Sequence, residues 1–340
     1  MSSELSASPV AEAAAPSRAR SSRAVRLVAP AVALVITIVL GGMVLLQLRA
    51  QDAIAERDRD TRMRLVAGAV TGAFDNAGKF ALSLAEASAR RPNVGEALAR
   101  RDRARLQALS QGPYEYLSRQ AGVQIYGFHT TDLRYLLRMH RLETFDDDIS
   151  GFRPMVVAAN RGRRAQAGVE IGIAGLGVRG IAIVEHEKSL VGTMEVGLDL
   201  RPILDLVKAS TNADVAVVIA PAMVGVALDP KLPRFGDLVL ALSTDDDRFA
   251  ALLKSTRMRA LRDVEVTTRE IEGRPFSVVS QPLVDFSGRL VGMTIALEEI
   301  PNDRGRLRTE LVVAALCGGI LAWIVFAVLL RIALTSRRRP

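Results

Sequence analysis

The chain has 340 residues, a formal net charge of +8, one cysteine and three histidines, and 49% of it is hydrophobic. The basic surplus is confined to the ends: residues 49–310 carry 37 basic and 35 acidic side chains, while the flanking segments carry 8 and 2. A near-neutral middle excludes a nucleic-acid partner, one cysteine excludes a disulfide framework, and scattered histidines offer no zinc set, so no metal or cofactor is indicated.

Residues 1–26 are rich in Ala, Ser, Pro and Arg and predict a disordered tail. Leu27–Leu48 follows without a single charge, and Leu311–Leu330 repeats that pattern near the other end. At about 1.5 Å rise per residue, either helix reaches across a hydrocarbon core of roughly 30 Å. The first stretch lies too deep for a secretory signal, and its end lacks an A-x-A cleavage site. Arg18, Arg20, Arg23 and Arg26 precede the first span; Arg331, Arg337, Arg338 and Arg339 follow the second. The expectation is an inner-membrane protein with both termini cytoplasmic and residues 49–310 outside.

Beyond the first span, Leu65, Val66, Ala69, Val70, Ala73, Phe74, Ala77, Phe80, Ala81 and Leu84 keep a helical rhythm. They predict a long stalk helix over 50–89, its apolar stripe packed on its own domain or on a second copy. A second helix over 93–111 is interrupted by the charge run at 100–105. Then the rhythm turns β-like: VQIYGFHT (123–130) and RYLLRMHR (134–141) form a hairpin, and 150–160 a short helix capped by Ser150. Strands at 180–187 and 190–200 make another hairpin. A helix (201–210), strand (213–220), helix (245–256) and strand (264–271) precede a last hairpin within 276–297. Leu190-Val191-Gly192 and Leu290-Val291-Gly292 stand one hundred positions apart at corresponding points of the two closing hairpins. The economical fold class is α+β, with two tandem modules over about 90–200 (distal) and 201–300 (proximal).

Residues 168–180, GVEIGIAGLGVRG, contain the G-x-G-x-x-G spacing of dinucleotide sites. In that fingerprint the third glycine opens a helix; here IAIVEHE follows, near-alternating and strand-like. The glycines are better explained by tight turns and close backbone approach to a ligand or another strand. No G-x-S-x-G or H-E-x-x-H occurs, and the aspartate runs 146–148 and 245–247 fall in turns. The chain is not expected to be an enzyme.

The runs FDDDISGFRPMVVAAN (145–160), GVEIGIAGLGVRGIAIV (168–184) and LVGTMEVGL (190–198) resemble the double Cache family, extracytoplasmic sensors of bacterial chemoreceptors, histidine kinases and diguanylate cyclases. They are most similar to the subfamily with a D-D-x-S-x-F-R segment followed by G-x-E-x-G and G-L-G-x-R-G. The chain departs from that pattern at Ile173 and Ala182, where the family carries arginine and proline. The resemblance implies two PAS-like modules and a ligand held in the distal one, against 123–130, 134–141 and 148–180. Arg153 and Arg179 would then hold a carboxylate by forked hydrogen bonds, or Glu170 or Asp148 an ammonium group. Alternatively, Glu170 pairs with one of those arginines and only fixes the loop. Tyr126, Arg138 and His129 project from the hairpin, His129 being expected as an ordinary polar residue; Arg274 and Asp285 in the second module have only generic status.

The implied function is a membrane-anchored sensor for a small polar metabolite, carboxylated by preference, whose binding shifts the two spans. After Leu330 only RIALTSRRRP remains, too short for a kinase, cyclase or methyl-accepting output. Either the chain is truncated or a separate cytoplasmic or membrane partner receives the signal. The alternative is a structural subunit of an envelope complex that keeps the fold without a ligand. A homodimer is expected through the stalk stripe and through Ala314, Gly318 and Ala322 in the second span.

Overall fold

The structure is a computed structural model, and it describes residues 18–172, 175–224, 228–256, 258–301 and 304–335. Ile173 and the tail at 1–17 lie outside the described residues. The elements are α1 (Arg18–Ala89), α2 (Val94–Ala99), α3 (Arg103–Ala121), β1 (Val123–Thr130), β2 (Tyr135–Arg138), α4 (Pro154–Gly162), β3 (Gln166–Gly172), β4 (Gly175–His186) and β5 (Ser189–Leu198). They continue as α5 (Arg201–Thr211), β6 (Asp214–Ile219), α6 (Pro221–Val224), β7 (Arg234–Phe235), β8 (Leu238–Ser243), α7 (Asp246–Ser255), β9 (Glu265–Ile271), β10 (Arg274–Val284), β11 (Leu290–Glu299) and α8 (Arg304–Thr335). Contacts divide the chain into two units, one of residues 57–300 and one of the helical segments outside them.

In the latter unit, α1 from Leu34 and α8 over Val312–Ile332 are long and apolar enough to cross a membrane. Both expose leucine, isoleucine and valine side chains, and Trp323 Nε1 donates to Thr37 Oγ1 at 3.0 Å. The expected tail is shorter than residues 1–26, because the helix already runs from Arg18. Alanine and arginine are strong helix formers, and the segment continues into the apolar stretch without a glycine break.

The unit 57–300 is built on two antiparallel sheets, β2-β1-β5-β4-β3 and β7-β8-β6-β11-β10-β9. Apart from the added edge strand β7, the second follows the same path as the first. The hundred-residue repeat has a backbone cause. A Cβ on Gly192 would meet the carbonyl of His129, and one on Gly292 that of Val218, closer than real Cβ atoms sit. In each sheet a glycine lets the closing hairpin pair with the module's first strand.

Helix α1 serves both sheets. Met63, Val66, Val70 and Phe74 are buried against the second sheet, and Ala81 and Ala85 against the first. Each large apolar side chain buried this way contributes about 1.5–3 kcal/mol, more than an exposed pair such as Arg62–Glu298 at roughly 0–1 kcal/mol. The stripe therefore packs on its own chain; what remains outside is mainly Leu65 and Phe80. Gly180 faces the helix, and a Cβ there would collide with the backbone of Leu82.

The expected interruption at 100–105 is present, and the elements differ from expectation in four other respects. The charge run holds a helix boundary: Arg101 takes a positive φ of 53°, and Asp102 caps α3 by accepting from Arg105 N–H at 2.9 Å. Helix α3 then continues past 111 to Ala121 despite Pro113, because Leu106, Tyr114 and Leu117 pack on the first sheet. Ser150 caps nothing; α4 starts later, at Pro154, and the glycine stretch is itself a hairpin with Gly172 opposite Gly175. The short elements α6, β7 and β8 gave too little periodicity to be seen.

Candidate functional site

The first sheet has two faces. Tyr126, Phe128, Met194 and Val196 point to α1–α3, in an apolar core. His129, Thr193, Glu195 and Arg179 share a polar cluster with Glu170 of β3, Tyr135 of β2 and Arg153, which precedes the first turn of α4.

Glu195 is its centre and is fully buried. It accepts from Arg153 Nη1 at 3.0 Å and Nη2 at 2.5 Å, from Arg179 Nη1 at 2.7 Å and from the Tyr135 hydroxyl at 3.1 Å. Glu170 Oε2 accepts from Arg153 Nε at 3.1 Å, and its Oε1 from Met155 N–H at 2.9 Å, so this strand residue caps α4. Arg179 Nε lies 3.3 Å from Glu170 without hydrogen-bond alignment, and among the described residues no other partner takes that proton. Two guanidiniums and two carboxylates thus balance in an almost dry setting. Burial alone would push Glu195 upward, but Arg153 and Arg179 outweigh it and hold the carboxyl well below its usual range. Burial would likewise lower Arg153; Glu195 and Glu170 raise it instead.

His129 Nδ1 meets Thr193 Oγ1 at 3.0 Å, and its ring stands edge-on to Tyr135 with centroids 4.3 Å apart. Nε2 is 3.3 Å from Glu195 Oε2 but not aligned for a hydrogen bond. Burial lowers the His129 pKa, with Glu195 opposing, so the ring is neutral. Arg138 lies over the same Tyr135 ring, 3.6 Å from its centroid, and is held by Asp147 through a fork of 2.5 and 2.7 Å.

These groups border a cavity of about 850 Å³. Tyr135, Arg138, Arg153 and Arg179 form the wall from the first sheet, and Leu228 and Leu242 belong to the wall from the second part of the unit. Its size suits a small-molecule site, which is commonly about 300–1,000 Å³.

Of the sequence candidates, Arg138, Arg153 and Arg179 border the cavity and Glu170 stands behind them. Asp148 does not join: it is exposed and accepts from Ser150 N–H in a turn. Tyr126 is a correction too, since it lies in the apolar core on the opposite face of the sheet. His129, expected to be an ordinary polar residue, sits inside the cluster. Glu195, Tyr135 and Asp147 were not anticipated; the one available sign was Glu195 as the lone charge in LVGTMEVGL. Arg274 pairs with Glu299 at the surface and Asp285 organises a turn, both away from the cavity. Among the described residues no cluster of His, Cys, Asp and Glu could hold a metal ion.

No curated protein matches the sequence. Among solved structures, the chain is similar to the ligand-binding domain of Campylobacter jejuni chemoreceptor Tlp3 in complex with 4-methylisoleucine, at 8% identity and a TM-score of 0.44, covering 72% of this chain and 90% of that one. It is also similar to the periplasmic domain of Vibrio cholerae LuxQ (14%, TM-score 0.40, 69% and 99%) and to the E. coli DcuS sensor domain (14%, TM-score 0.33, 40% and 98%). The family model dCache_3, described as the double sensory domain of two-component sensor kinases, matches residues 53–298, more than half of the chain. On that match, the chain belongs to the double Cache sensor family.

Proposed function

We propose that this protein is a membrane-anchored extracytoplasmic sensor that binds a small polar metabolite in the cavity and passes a conformational signal across the bacterial inner membrane. The observation that carries the reading is the 850 Å³ cavity bordered by Arg138, Arg153 and Arg179. A bound carboxylate would compete with Glu195 and Glu170 for Arg153 and Arg179, and with Asp147 for Arg138, and that competition supplies the differential affinity a conformational shift requires. The site binds and does not transform its ligand; among sensors of this family, the chain falls in the subfamily named by its glycine-rich pattern. Residues 49–310 face outward, both termini are cytoplasmic, and a separate or further module receives the output. Leu65 and Phe80, left outside the fold, are the surface on which a homodimer would form.

The test uses the full chain in lipid nanodiscs, screened by thermal shift against amino acids and small carboxylates. A hit that Arg138→Gln weakens about thirtyfold or more, and Arg274→Gln leaves unchanged, supports the site. Loss from both variants or from neither places binding elsewhere. Topology is tested separately in a Cys317→Ala background: an external thiol reagent should label Ser287→Cys and not Ser22→Cys.

A second reading, a structural envelope subunit with the sensor fold, is favoured by one observation. The arginines are already neutralised from within by Glu195 and Glu170. A screen without hits, on protein that melts cooperatively, would favour it.

A further inference from the structure

The turn between β10 and β11 leaves the second sheet and ends against the first. Phe286 N–H donates to the Val169 carbonyl at 2.9 Å, on the open edge of β3, which among the described strands pairs with β4 alone. The Phe286 side chain packs on a small core of Tyr135, Ile149, Met155, Val156, Ala159 and Ile181 beneath α4. The turn itself is stiff. The carboxylate of Asp285, 6% exposed, accepts from Ser287 N–H at 2.9 Å, Ser287 Oγ at 2.6 Å, and Arg289 N–H and Nε, each at 3.1 Å.

What this turn touches is the frame of the charge cluster. The residue after Val169 is Glu170, which binds Arg153 and caps α4 at Met155. Tyr135, in the same small core, donates to Glu195. In the other direction, β10 and β11 are tied to α1: Gln281 Nε2 donates to the Ala67 carbonyl at 2.9 Å, and Arg62 pairs with Glu298 at 2.6 Å. Strand β11 is also the last strand before α8.

We propose that the β10–β11 hairpin couples the charge cluster to the second sheet, with Phe286 as the positioning residue that holds β3 and α4 in register with it. This rests on reading the cavity as a sensor site. A ligand that draws Arg153 from its carboxylates loosens the cap on α4 and the edge of β3, and both are surfaces on which Phe286 sits. Coupling between two sites is reciprocal, so disturbing the turn must also disturb the cluster. A competing route exists, because α1 packs on both sheets.

The experiment is amide hydrogen exchange, read by mass spectrometry, on the full chain in nanodiscs without ligand. Tyr135→Phe, which removes one hydrogen bond from Glu195, should speed exchange of peptides over 285–290 by about fivefold or more. Phe286→Leu should do the same to peptides over 153–172. Val284→Ala, at an exposed position on the same hairpin, should do neither. The proposal is overturned if either variant leaves the other segment unchanged, or if Tyr135→Phe acts on 63–74 while 285–290 stays as before. Should Phe286→Leu not fold, Ser287→Ala, which removes one bond to Asp285, takes its place with the same expectation. A failed ligand screen with this coupling intact would count against the sensor reading and not against the hairpin.

Discussion

Replacing Glu195 with glutamine keeps the shape of the side chain and removes its charge. Arg153 and Arg179 would then share one carboxylate, Glu170, in a site where both are less than a tenth exposed. Removing one partner of a buried ion pair costs about 3–5 kcal/mol, because the charge left behind stays out of water. For a unit the size of residues 57–300, one kcal/mol moves the melting temperature by about 2–4 °C, so the expected fall is roughly 6–20 °C. The assay is thermal unfolding of the full chain in one detergent at pH 7.5, with Arg62→Gln, an exposed pair, as the benchmark expected to cost at most about 1 kcal/mol. The double variant Glu195→Gln, Arg179→Gln restores charge balance and should recover part of the loss. A fall no larger than the benchmark's, or a double variant whose loss is the sum of the two singles, would refute the account of a dry, charge-balanced cluster.

Acid should destabilise the protein before its carboxylates titrate. Burial lowers the pKa of His129, so the folded state keeps the ring neutral while the unfolded chain takes up a proton below about pH 6.5. The unfolded state then binds more protons, and stability present above that pH is lost as pH falls; melts from pH 8 to 5 should flatten in His129→Gln. The pKa of His140, on the cavity lining, is also lowered, chiefly by loss of solvent there, but the residue keeps a substantial solvent-exposed surface, so His140→Gln should change the slope less. Gly180→Ala should cost about 1–3 kcal/mol, since its Cβ must displace the backbone of α1 at Leu82. Gly112→Ala, mid-helix with open space around it, should instead stabilise by about 0.5–1 kcal/mol; equal effects at the two glycines would contradict the packing described.

The elements that could be read from the sequence are those whose cause is local. Strand β1 matches its predicted range because its composition and bounding turns are contiguous, and Gly192 and Gly292 betray the repeat because each answers to one neighbouring carbonyl. The site was legible only in part, because it is assembled from five strands and the residue before a helix. Tyr126 and His129 differ by an odd number of positions, so they face opposite sides, but alternation cannot say which side holds the helices. A shift in the pairing of β1 with β2 between Phe128 and His129 further blurs the pattern. Three consecutive aspartates have three fates: Asp146 pairs with Arg134, Asp147 holds Arg138 and Asp148 closes a turn. No spacing rule separates them.

The cluster also bears on why four buried charges occur here at all. Buried ion pairs are poor sources of stability, because the desolvation of each group cancels much of the attraction, and well-packed apolar residues of similar volume often do as well. Elsewhere in this unit the fold uses that cheaper solution: the equivalent place on the second sheet's closing strand, one hundred positions after Glu195, is Ile295, fully buried among apolar neighbours. The two modules share their strand order, so the difference is not forced by topology. It falls in the module whose arginines reach the cavity. Glu195 and Glu170 hold Arg153 and Arg179 in place, and an anion that displaced either carboxylate would leave it without its partner, so binding here would require the cluster to rearrange. Only the first sheet carries such a cluster among the described residues, which is why the binding reading is attached to that sheet and not to its repeat.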